Sequence, residues 1–253
     1  MEFEGFYFLL LVVTGVIAGV INTLAGGGTN LTLPALMIMG MPPEVANATN
    51  RVGVFLQNIV AWASFKQYDK VPQADVVPIL IPTLFGGLLG AAAAAVAPSD
   101  YLKPLLFTAM ISMTVIMLVR PSVIAVPDGT QPNRVKDTPS SWLWLTIAGF
   151  YGGFVQAGVG FILITALAGS LRYDLVRTNA LKVICVAAFT FLSLIVFIAQ
   201  GLVWWVPGLV LAVGTMLGAH LAVRFAIKAK ASTLKWFLFI MTVCGAFAAY
   251  VFD

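Results

Sequence analysis

The sequence has little charge. Only 9% of its 253 residues are Asp, Glu, Lys or Arg, whereas 60% are hydrophobic and the mean hydropathy is +1.00. A soluble domain is about 25% charged, so this chain has too few charged residues to coat a globule in water. A soluble enzyme, a disordered protein and a nucleic-acid-binding protein are therefore excluded, despite the sequence pI of 9.2. We interpret the net charge of +4 as a feature of membrane topology.

Reactive and metal-binding groups are also scarce. The two cysteines, Cys185 and Cys244, lie in apolar runs and form no CxxC motif. The sequence has no HExxH motif and no Walker loop, and its acidic residues lie at predicted segment ends or in loops. We therefore predict no catalytic residue, no metal site and no cofactor. His220 is the one histidine, and we expect it to be packed and hydrogen-bonded.

The chain does contain many apolar runs of the length that a membrane helix requires, about 20 residues. A polar stretch at 121–141 divides them and predicts a cytoplasmic linker between two transmembrane repeats, 1–120 and 142–253. The start of the chain is acidic, which argues against a cleaved signal peptide. The runs lie at 6–25, 31–41, 52–65, 76–97 and 102–119 in the first half, and at 142–160, 161–171, 180–199, 202–225 and 234–252 in the second.

The two halves share four motifs in the same order, at nearly constant spacing, which indicates an internal duplication. Small residues four apart are common in packed membrane helices, so no single match decides the point, but four together do. The matches are Gly15-x-x-x-Gly19 with Gly149-x-x-x-Gly153, Asn47-Ala48 with Asn179-Ala180, Gly86-x-x-x-Gly90 with Gly214-x-x-x-Gly218, and Leu102-Lys103 with Leu234-Lys235.

The distribution of Lys and Arg favours inverted repeats. If each interrupted first segment enters the membrane and returns to the same side, only Arg51 and Lys103 of the fourteen basic residues lie outside. A single crossing would divide them nine to five, a weaker bias for cytoplasmic loops. The stretch 142–171 would be about 45 Å long as a helix, which suits two partial helices. Both termini are then predicted to be periplasmic.

Interrupted helices at matching places in inverted repeats are typical of secondary transporters, with the substrate near the bilayer midplane. A helix that starts after such a break, here at Thr29 and near Phe161, points free N–H groups and its positive dipole end at the break, which favours an anion. Amides and a cation, Lys182, lie on the following segments. The predicted substrate-binding residues are Gly26, Gly27, Gly28, Thr29, Asn30, Asn47, Thr49, Asn50, Arg51, Gln57, Gln156, Gly158, Gly160, Asn179 and Lys182.

Each of these features has an alternative interpretation. The glycine triplet at 26–28 could serve close helix packing alone. Asn47 and Asn50 could hydrogen-bond neighbouring helices. Arg51 and Lys182 could extend to the membrane interface.

The motif from Gly26 to Leu36, followed by Asn47-Ala48-Thr49-Asn50, resembles the TauE/SafE sulfite exporter family, and the resemblance extends over essentially the whole chain. The second half departs from the pattern: Gly158-Val159-Gly160 replaces the full glycine cluster, and the stretch after it lacks the proline. The two half-sites are therefore unequal. The resemblance implies movement of a sulfur-containing anion, such as sulfite, a sulfonate or sulfoacetate, across the bacterial inner membrane.

We therefore predict an all-α polytopic membrane protein of two inverted-topology repeats, each with a broken, re-entrant first helix pair and three spanning helices. One repeat is expected to rock against the other around a small anionic substrate. The partners are this anion and the lipid bilayer, and the glycine pairs also allow a homodimer. The alternatives are an anion channel and a transporter for a non-sulfur organic anion. An intramembrane enzyme has little support.

Overall fold

A computed structural model describes residues 2–97 and 130–229, together with the single residues 108, 126 and 233. The predicted segments 102–119 and 234–252, and the first part of the predicted linker, lie outside the described residues. Within the described ranges all regular structure is helical, as predicted.

The described ranges contain eight α-helices. The first half contains α1 (Glu2–Leu24), α2 (Thr29–Ile38), α3 (Pro43–Gln67) and α4 (Gln73–Val96). The second half contains α5 (Pro139–Phe154), α6 (Val159–Ile164), α7 (Leu175–Ala199) and α8 (Trp205–Lys228). A 3₁₀ turn, Val135–Asp137, precedes α5, and a π-helical turn, Thr165–Ser170, continues α6.

Four of the described helices are long and apolar enough to cross a bilayer, namely α1, α4, α7 and α8. The helix α3 has the necessary length, but it carries the polar residues from Asn47 to Arg51. The sequence pattern placed its start at Val52, whereas the structure begins it at Pro43, because these polar residues are helical and buried. The helix α7 also begins early, at Leu175, since the Asp174 carboxylate accepts hydrogen bonds from the first backbone N–H groups.

The helices α1 and α8 run parallel and interlock through glycines. The Val12 carbonyl lies against Gly214, and the Val16 carbonyl lies against Gly218, so that the contacts advance in the same direction along both helices. A Cβ atom at Gly19 would overlap the Thr215 carbonyl. The backbones are therefore in direct contact.

The helices α4 and α5 repeat this arrangement. Thr83 lies against Gly149, and Gly87 lies against Gly153, again in parallel register. The glycine pairs of α4 and α8 thus pack within one protomer, against the opposite half of the chain. They give no support to a homodimer, which stays a prediction.

The other contacts fix the remaining helix directions. Gly208 of α8 lies against Thr49 of α3, and the Thr215 hydroxyl donates to the Gly53 carbonyl further along both helices, so α3 and α8 are parallel. Likewise, α7 runs parallel to α4, since Thr83 contacts Cys185 and Gly87 contacts Phe189. In contrast, α3 and α7 are antiparallel, with Arg51 on Phe197 and Phe55 on Phe191.

Two sets of parallel helices follow: α1, α3 and α8 run one way, and α4, α5 and α7 run the other. Helices in equivalent positions of the two halves (α1 and α5, α3 and α7, α4 and α8) therefore have opposite directions. An inverted arrangement of the repeats in the membrane requires such opposite directions, and it stays a prediction.

The two broken segments are hairpins. Since α1 and α3 both run along α8 from its first turns, α2 returns the chain to the end where α1 began. The pair α5–α6 behaves in the same way, because α5 and α7 both run parallel to α4. The chain turns at Ala25–Gly28 in the first hairpin and at Val155–Gly158 in the second, slightly earlier than the predicted break at 158–160.

Exposed basic residues gather at one end of the bundle, where α3 and α8 finish and α5 and α7 start. Arg51, expected outside, is instead fully buried inside the bundle, as is Lys182. His220, expected to be packed, is exposed on α8, with its Nδ1 3.5 Å from the Ser64 hydroxyl. This basic end contains Lys66, Lys70, Arg134, Lys136, Arg172, Arg177, Arg224 and Lys228.

Candidate functional site

The two hairpin turns meet inside the bundle. Gly26 lies against Gly160, so closely that a Cβ atom on either residue would overlap the Cα atom of the other. Gly26 also has a φ of 103°, a conformation that residues with a side chain rarely adopt. The predicted convergence of the two interruptions is therefore present, and glycine is required at both contact points.

A small buried cavity lies beside this contact, with room for about one water molecule. Six of its ten lining residues form three pairs at equivalent positions of the two halves: Gly26 with Gly160, Asn22 with Gln156, and Val54 with Val186. The members of each pair are separated by 132 or 134 residues, like the repeated motifs. The other lining residues are Thr29, Asn58, Val159 and Lys182.

Among the described residues, Lys182 is the one charged residue that lines the cavity, and only 1% of its surface is exposed. Its ammonium donates to the carbonyls of Asn22 at 3.0 Å and Thr23 at 2.9 Å, at the end of α1, and to Asn179 Oδ1 at 2.9 Å. A helix end has carbonyls without intrahelical partners and a partial negative charge. Lys182 therefore caps the broken helix of the opposite half, and does not extend to the interface.

Arg51 does the same for the other broken helix. Its guanidinium donates to the carbonyls of Gly152 at 3.0 Å, Gly153 at 2.7 Å and Phe154 at 3.3 Å, at the end of α5. It also stacks over the Phe197 ring, 4.9 Å from the centroid. Arg51 does not line the cavity, and its predicted contact with a ligand stays a prediction.

The backbone donors at the turns are largely occupied. The N–H groups of Asn30 and Leu31 donate to the Gly27 and Gly28 carbonyls at 3.1 and 3.0 Å, and the Phe161 N–H donates to Gly158 at 3.1 Å. The expectation of free N–H groups at these positions is therefore wrong for this conformation. Short i→i+3 bonds of this kind commonly tighten a helix end.

Two predicted residues hold helices together away from the cavity. The Thr49 hydroxyl accepts from the Trp204 N–H at 3.0 Å, and Asn47 Nδ2 donates to the Phe154 carbonyl at 3.3 Å. Asn47 thus fits the interhelical role that was its alternative interpretation, and Thr49 plays a similar part. The Thr32 hydroxyl donates to Asn50 Oδ1 at 2.6 Å, which connects α2 to α3.

Gln156 combines strain with an unsatisfied polar atom. Its φ is 68°, unusual for a residue other than glycine, and 1% of its surface is exposed. Its Nε2 donates to the Thr190 hydroxyl at 2.8 Å, but Oε1 is buried without a partner among the described residues. Strained residues of this kind concentrate at functional sites.

Among the described residues, buried polar side chains around the two hairpins leave both donors and acceptors without hydrogen-bond partners, the acceptors including Asn47 Oδ1 and Gln156 Oε1. Within the described part of the chain, nitrogen atoms of four predicted residues are buried without a hydrogen-bond partner, and each such group normally costs about 1–3 kcal/mol. No carboxylate of the described residues lines the cavity. A negatively charged ligand would complement Lys182 in the cavity wall, whereas none of the four residues with unpaired nitrogen atoms lines the cavity. The four atoms are Asn50 Nδ2, Arg51 Nε, Gln57 Nε2 and Asn179 Nδ2.

Sequence reasoning missed Asn58 and gave Asn22 no role in the site. Both line the cavity, and Asn22 Oδ1 also accepts from the Gly28 N–H at 2.8 Å. Asn58 lies eleven residues after Asn47, which is about three helical turns. The spacing could therefore have found it on the face that Asn47 and Asn50 share.

These features define an all-helical, multi-pass membrane protein in which two helical hairpins meet at a buried polar site. Residues 11–249 match the sulfite exporter TauE/SafE family, and the chain belongs to this family. It is similar to the probable membrane transporter protein ORF9 of Sinorhizobium sp, with 27% identity over 97% of this chain and 94% of that protein.

Two further relatives have comparable names. Probable membrane transporter protein YfcA of Escherichia coli K12 is 28% identical over 87% of this chain and 80% of its own length. A probable membrane transporter protein of Haemophilus influenzae is 26% identical over 92% of this chain and 90% of its own length. The family and these relatives indicate a membrane transporter rather than an enzyme.

Proposed function

We propose that this protein is a secondary transporter of a small sulfur-containing anion, which binds where the two hairpin turns meet. The observation that supports it best is Lys182, a buried cation in the wall of a cavity where the described residues place no carboxylate. Charged residues inside membrane segments are costly and usually functional. The family's description as a sulfite exporter supports the sulfur chemistry.

The proposal includes an orientation in the membrane. The basic end carries all eight exposed Lys and Arg residues of the described ranges, and cytoplasmic loops are rich in these residues. We therefore place the basic end in the cytoplasm and both termini in the periplasm of a bacterial inner membrane.

Alternating access requires two groups of helices that move against each other as rigid units. The helices that pack closely through glycines should move together. Because α1 interlocks with α8 and α4 with α5, the two repeats are not separate bodies, and our expectation that one rocks against the other is revised. In this proposal α1, α2 and α8 move against α4, α5 and α6. The contact between Gly26 and Gly160 opens when an anion enters.

Binding is tested first by thermal unfolding of the purified protein with sulfite, sulfate, thiosulfate, C2 sulfonates or carboxylates. A ligand that binds only the folded state at 100 times its Kd stabilises it by about 2.7 kcal/mol. We expect at least one sulfur-containing anion to raise the Tm, and Lys182→Met to abolish this shift. The exposed Lys228→Met is the matched control and should retain it.

Transport is tested in proteoliposomes loaded with the stabilising anion. A transporter saturates and shows counterflow, whereas an anion channel does not. Saturable counterflow that is lost in Lys182→Met but not in Lys228→Met is expected. A folded protein whose Tm responds to none of these anions would contradict the proposal.

A further inference from the structure

The outer face of α8 carries a histidine at membrane depth. The helix has 24 residues and is therefore about 36 Å long, somewhat longer than the roughly 30 Å hydrocarbon core of a bilayer. His220 precedes the last residue of α8 by about two turns, or about 12 Å, and its side chain is exposed. Ionisable residues in membrane segments almost always face the bundle interior and pair with a polar group, so the outward position of His220 requires an explanation.

The described part of the chain offers His220 little. Its Nδ1 lies 3.5 Å from the Ser64 hydroxyl of α3, at the limit of a hydrogen bond. One turn nearer the basic end, Arg224 is also exposed, and it forms no hydrogen bond or ion pair with a described residue. Two adjacent polar side chains are therefore available to a partner from outside these helices.

The two residues continue an exposed stripe along α8 that changes from apolar to basic. Val213, Leu217, His220 and Arg224 follow one another at helical spacing, and all four are exposed. Because α8 finishes at the basic end, the two apolar residues lie nearer the bilayer midplane. The stripe thus has the polarity of an amphiphile whose head lies at the membrane surface.

The neighbouring helix α3 carries a similar stripe. Val60, Ser64 and Gln67 share one face of α3, which runs parallel to α8, and the contact between Ser64 and His220 brings the two stripes side by side. Ser64 is buried between them, whereas Gln67 is exposed. We call these two stripes together the α3–α8 seam.

We propose that the α3–α8 seam binds one anionic phospholipid from the leaflet at the basic end. The phosphate would lie against Arg224 and His220, with Gln67 beside the rest of the headgroup. An acyl chain would lie along Leu217 and Val213 toward the midplane. This inference goes beyond the proposed function and does not depend on which solute is transported.

Charge complementarity favours a lipid over a second copy of the chain. A dimer about a twofold axis along the membrane normal would bring the basic ends of two copies together at this face, with Arg224 and Lys228 facing like charges. An anionic headgroup instead supplies the opposite charge. Basic sites between membrane helices at the cytoplasmic surface are a common way of binding such headgroups.

Thermal unfolding of the purified full-length protein in a neutral detergent tests the inference. Dioleoylphosphatidylglycerol and dioleoylphosphatidylcholine, which have the same chains, are compared at constant ionic strength, and glycerol phosphate supplies the anionic head without chains. A ligand of the folded state raises the Tm. We expect the anionic lipid to act at a lower mole fraction than the zwitterionic one, and glycerol phosphate to have little effect.

Two variants and a matched control locate the site. Arg224→Gln should weaken the effect of phosphatidylglycerol about tenfold, since a charged hydrogen bond is worth roughly this factor. His220→Leu, which suits a membrane-facing position, should weaken it several-fold and carries the test if Arg224→Gln does not fold. Lys136→Gln removes the same charge at the basic end, but in the turn before α5, and should leave the effect unchanged.

Four results would overturn the inference without touching the proposed transport. They are equal responses to the two lipids, equal effects of Arg224→Gln and Lys136→Gln, and stabilisation by glycerol phosphate as strong as that by phosphatidylglycerol. The fourth is a dimer of the purified protein that dissociates in His220→Leu, as measured by light scattering, which would assign the seam to a second copy.

Discussion

At the scale of single residues, two buried cations hold the ends of two broken helices. Arg51 extends from α3 to the end of α5, and Lys182 extends from α7 to the end of α1, so each cation crosses to the opposite half. Unpaired carbonyls are especially costly in a membrane, where no water is available to bind them. Both cations are therefore part of the fold, and Lys182 also lines the cavity.

Replacing Arg51 should destabilise the protein strongly. Arg51→Met leaves the Gly152 and Gly153 carbonyls without their donor, and a buried acceptor left without a partner typically costs about 1–3 kcal/mol. Arg51→Lys keeps the charge but not the paired donors, so we expect a smaller loss. Thermal unfolding in detergent measures both. A Tm for Arg51→Met equal to that of the unmodified protein would contradict this role.

Tyr173, in the connection before α7, donates to Asp75 Oδ2 at 2.6 Å and so joins this connection to the start of α4. Burial, and then the hydrogen bond and charge of Asp75, raise the pKa of the Tyr173 phenol above its ordinary value. In the unfolded chain the phenol ionises near a pH of about 10. The contribution of Tyr173 to stability is therefore complete below that pH and decreases as the pH rises above it.

Tyr173→Phe should lower the free energy of unfolding by about 1 kcal/mol near neutral pH through loss of this hydrogen bond. Above about pH 10, the difference between the variant and the unmodified protein should become smaller. Chemical unfolding at neutral pH and at higher pH measures this difference. A constant difference across that range would show that the phenol is not held neutral by the fold.

Much of this residue-level chemistry could be predicted from the sequence, but the partners could not. Lys182 stands out as a cation in an apolar run, where a charge is costly and usually functional, whereas Arg51 precedes its run and was expected outside the membrane. Their partners are backbone carbonyls, however, which every residue carries. No sequence pattern distinguishes Gly152 from any other residue as the acceptor for Arg51.

At the scale of elements, the hairpin turns depend on glycine for two separate reasons. Gly26 needs its positive φ and also the absence of a Cβ atom against Gly160. Gly160 needs only the absence of a Cβ atom. Gly40 has a φ of 86°, but a Cβ atom there would meet none of the described residues within 4 Å. Gly40 is therefore needed only for its positive φ.

These three glycines form a matched set for mutation to alanine. Gly40→Ala should cost about 1–2 kcal/mol from its left-handed backbone alone. Gly160→Ala should cost more than this, since two backbones must separate, and Gly26→Ala should cost most. Thermal unfolding ranks them, and equal shifts for Gly26→Ala and Gly40→Ala would contradict the tight contact of the two turns.

The hairpins could be predicted from the sequence, but their boundaries could not. Glycine clusters in apolar runs of the wrong length indicate an interruption, and both interruptions are present. The second lies earlier than predicted because Gln156, not a glycine, adopts one of the left-handed conformations there. The early start of α3 was missed because Asn47 and Asn50 resemble a loop until their burial is known.

At the scale of the whole molecule, the helix directions and the basic end predict the membrane orientation. In a background without Cys185 and Cys244, single cysteines are introduced at Pro42 and Gln200, at one end, and at Lys70 and Lys136, at the basic end. An impermeant maleimide added to intact cells should label the first two only, and the other two after permeabilisation. Labelling of Pro42 and Gln200 from opposite sides would contradict the hairpin arrangement.

The exchange of packing partners between the two halves also has a consequence for biosynthesis. The first hairpin ends at Ile38, yet α8, against which α1 packs, begins only at Trp205. During translation this hairpin must wait in or near the insertion machinery, with its turn and the carbonyls of α1 unprotected, until the second half has been made. Folding of the nascent chain is therefore expected to be late and cooperative, and a ribosome stalled before α8 should leave the first hairpin open to protease.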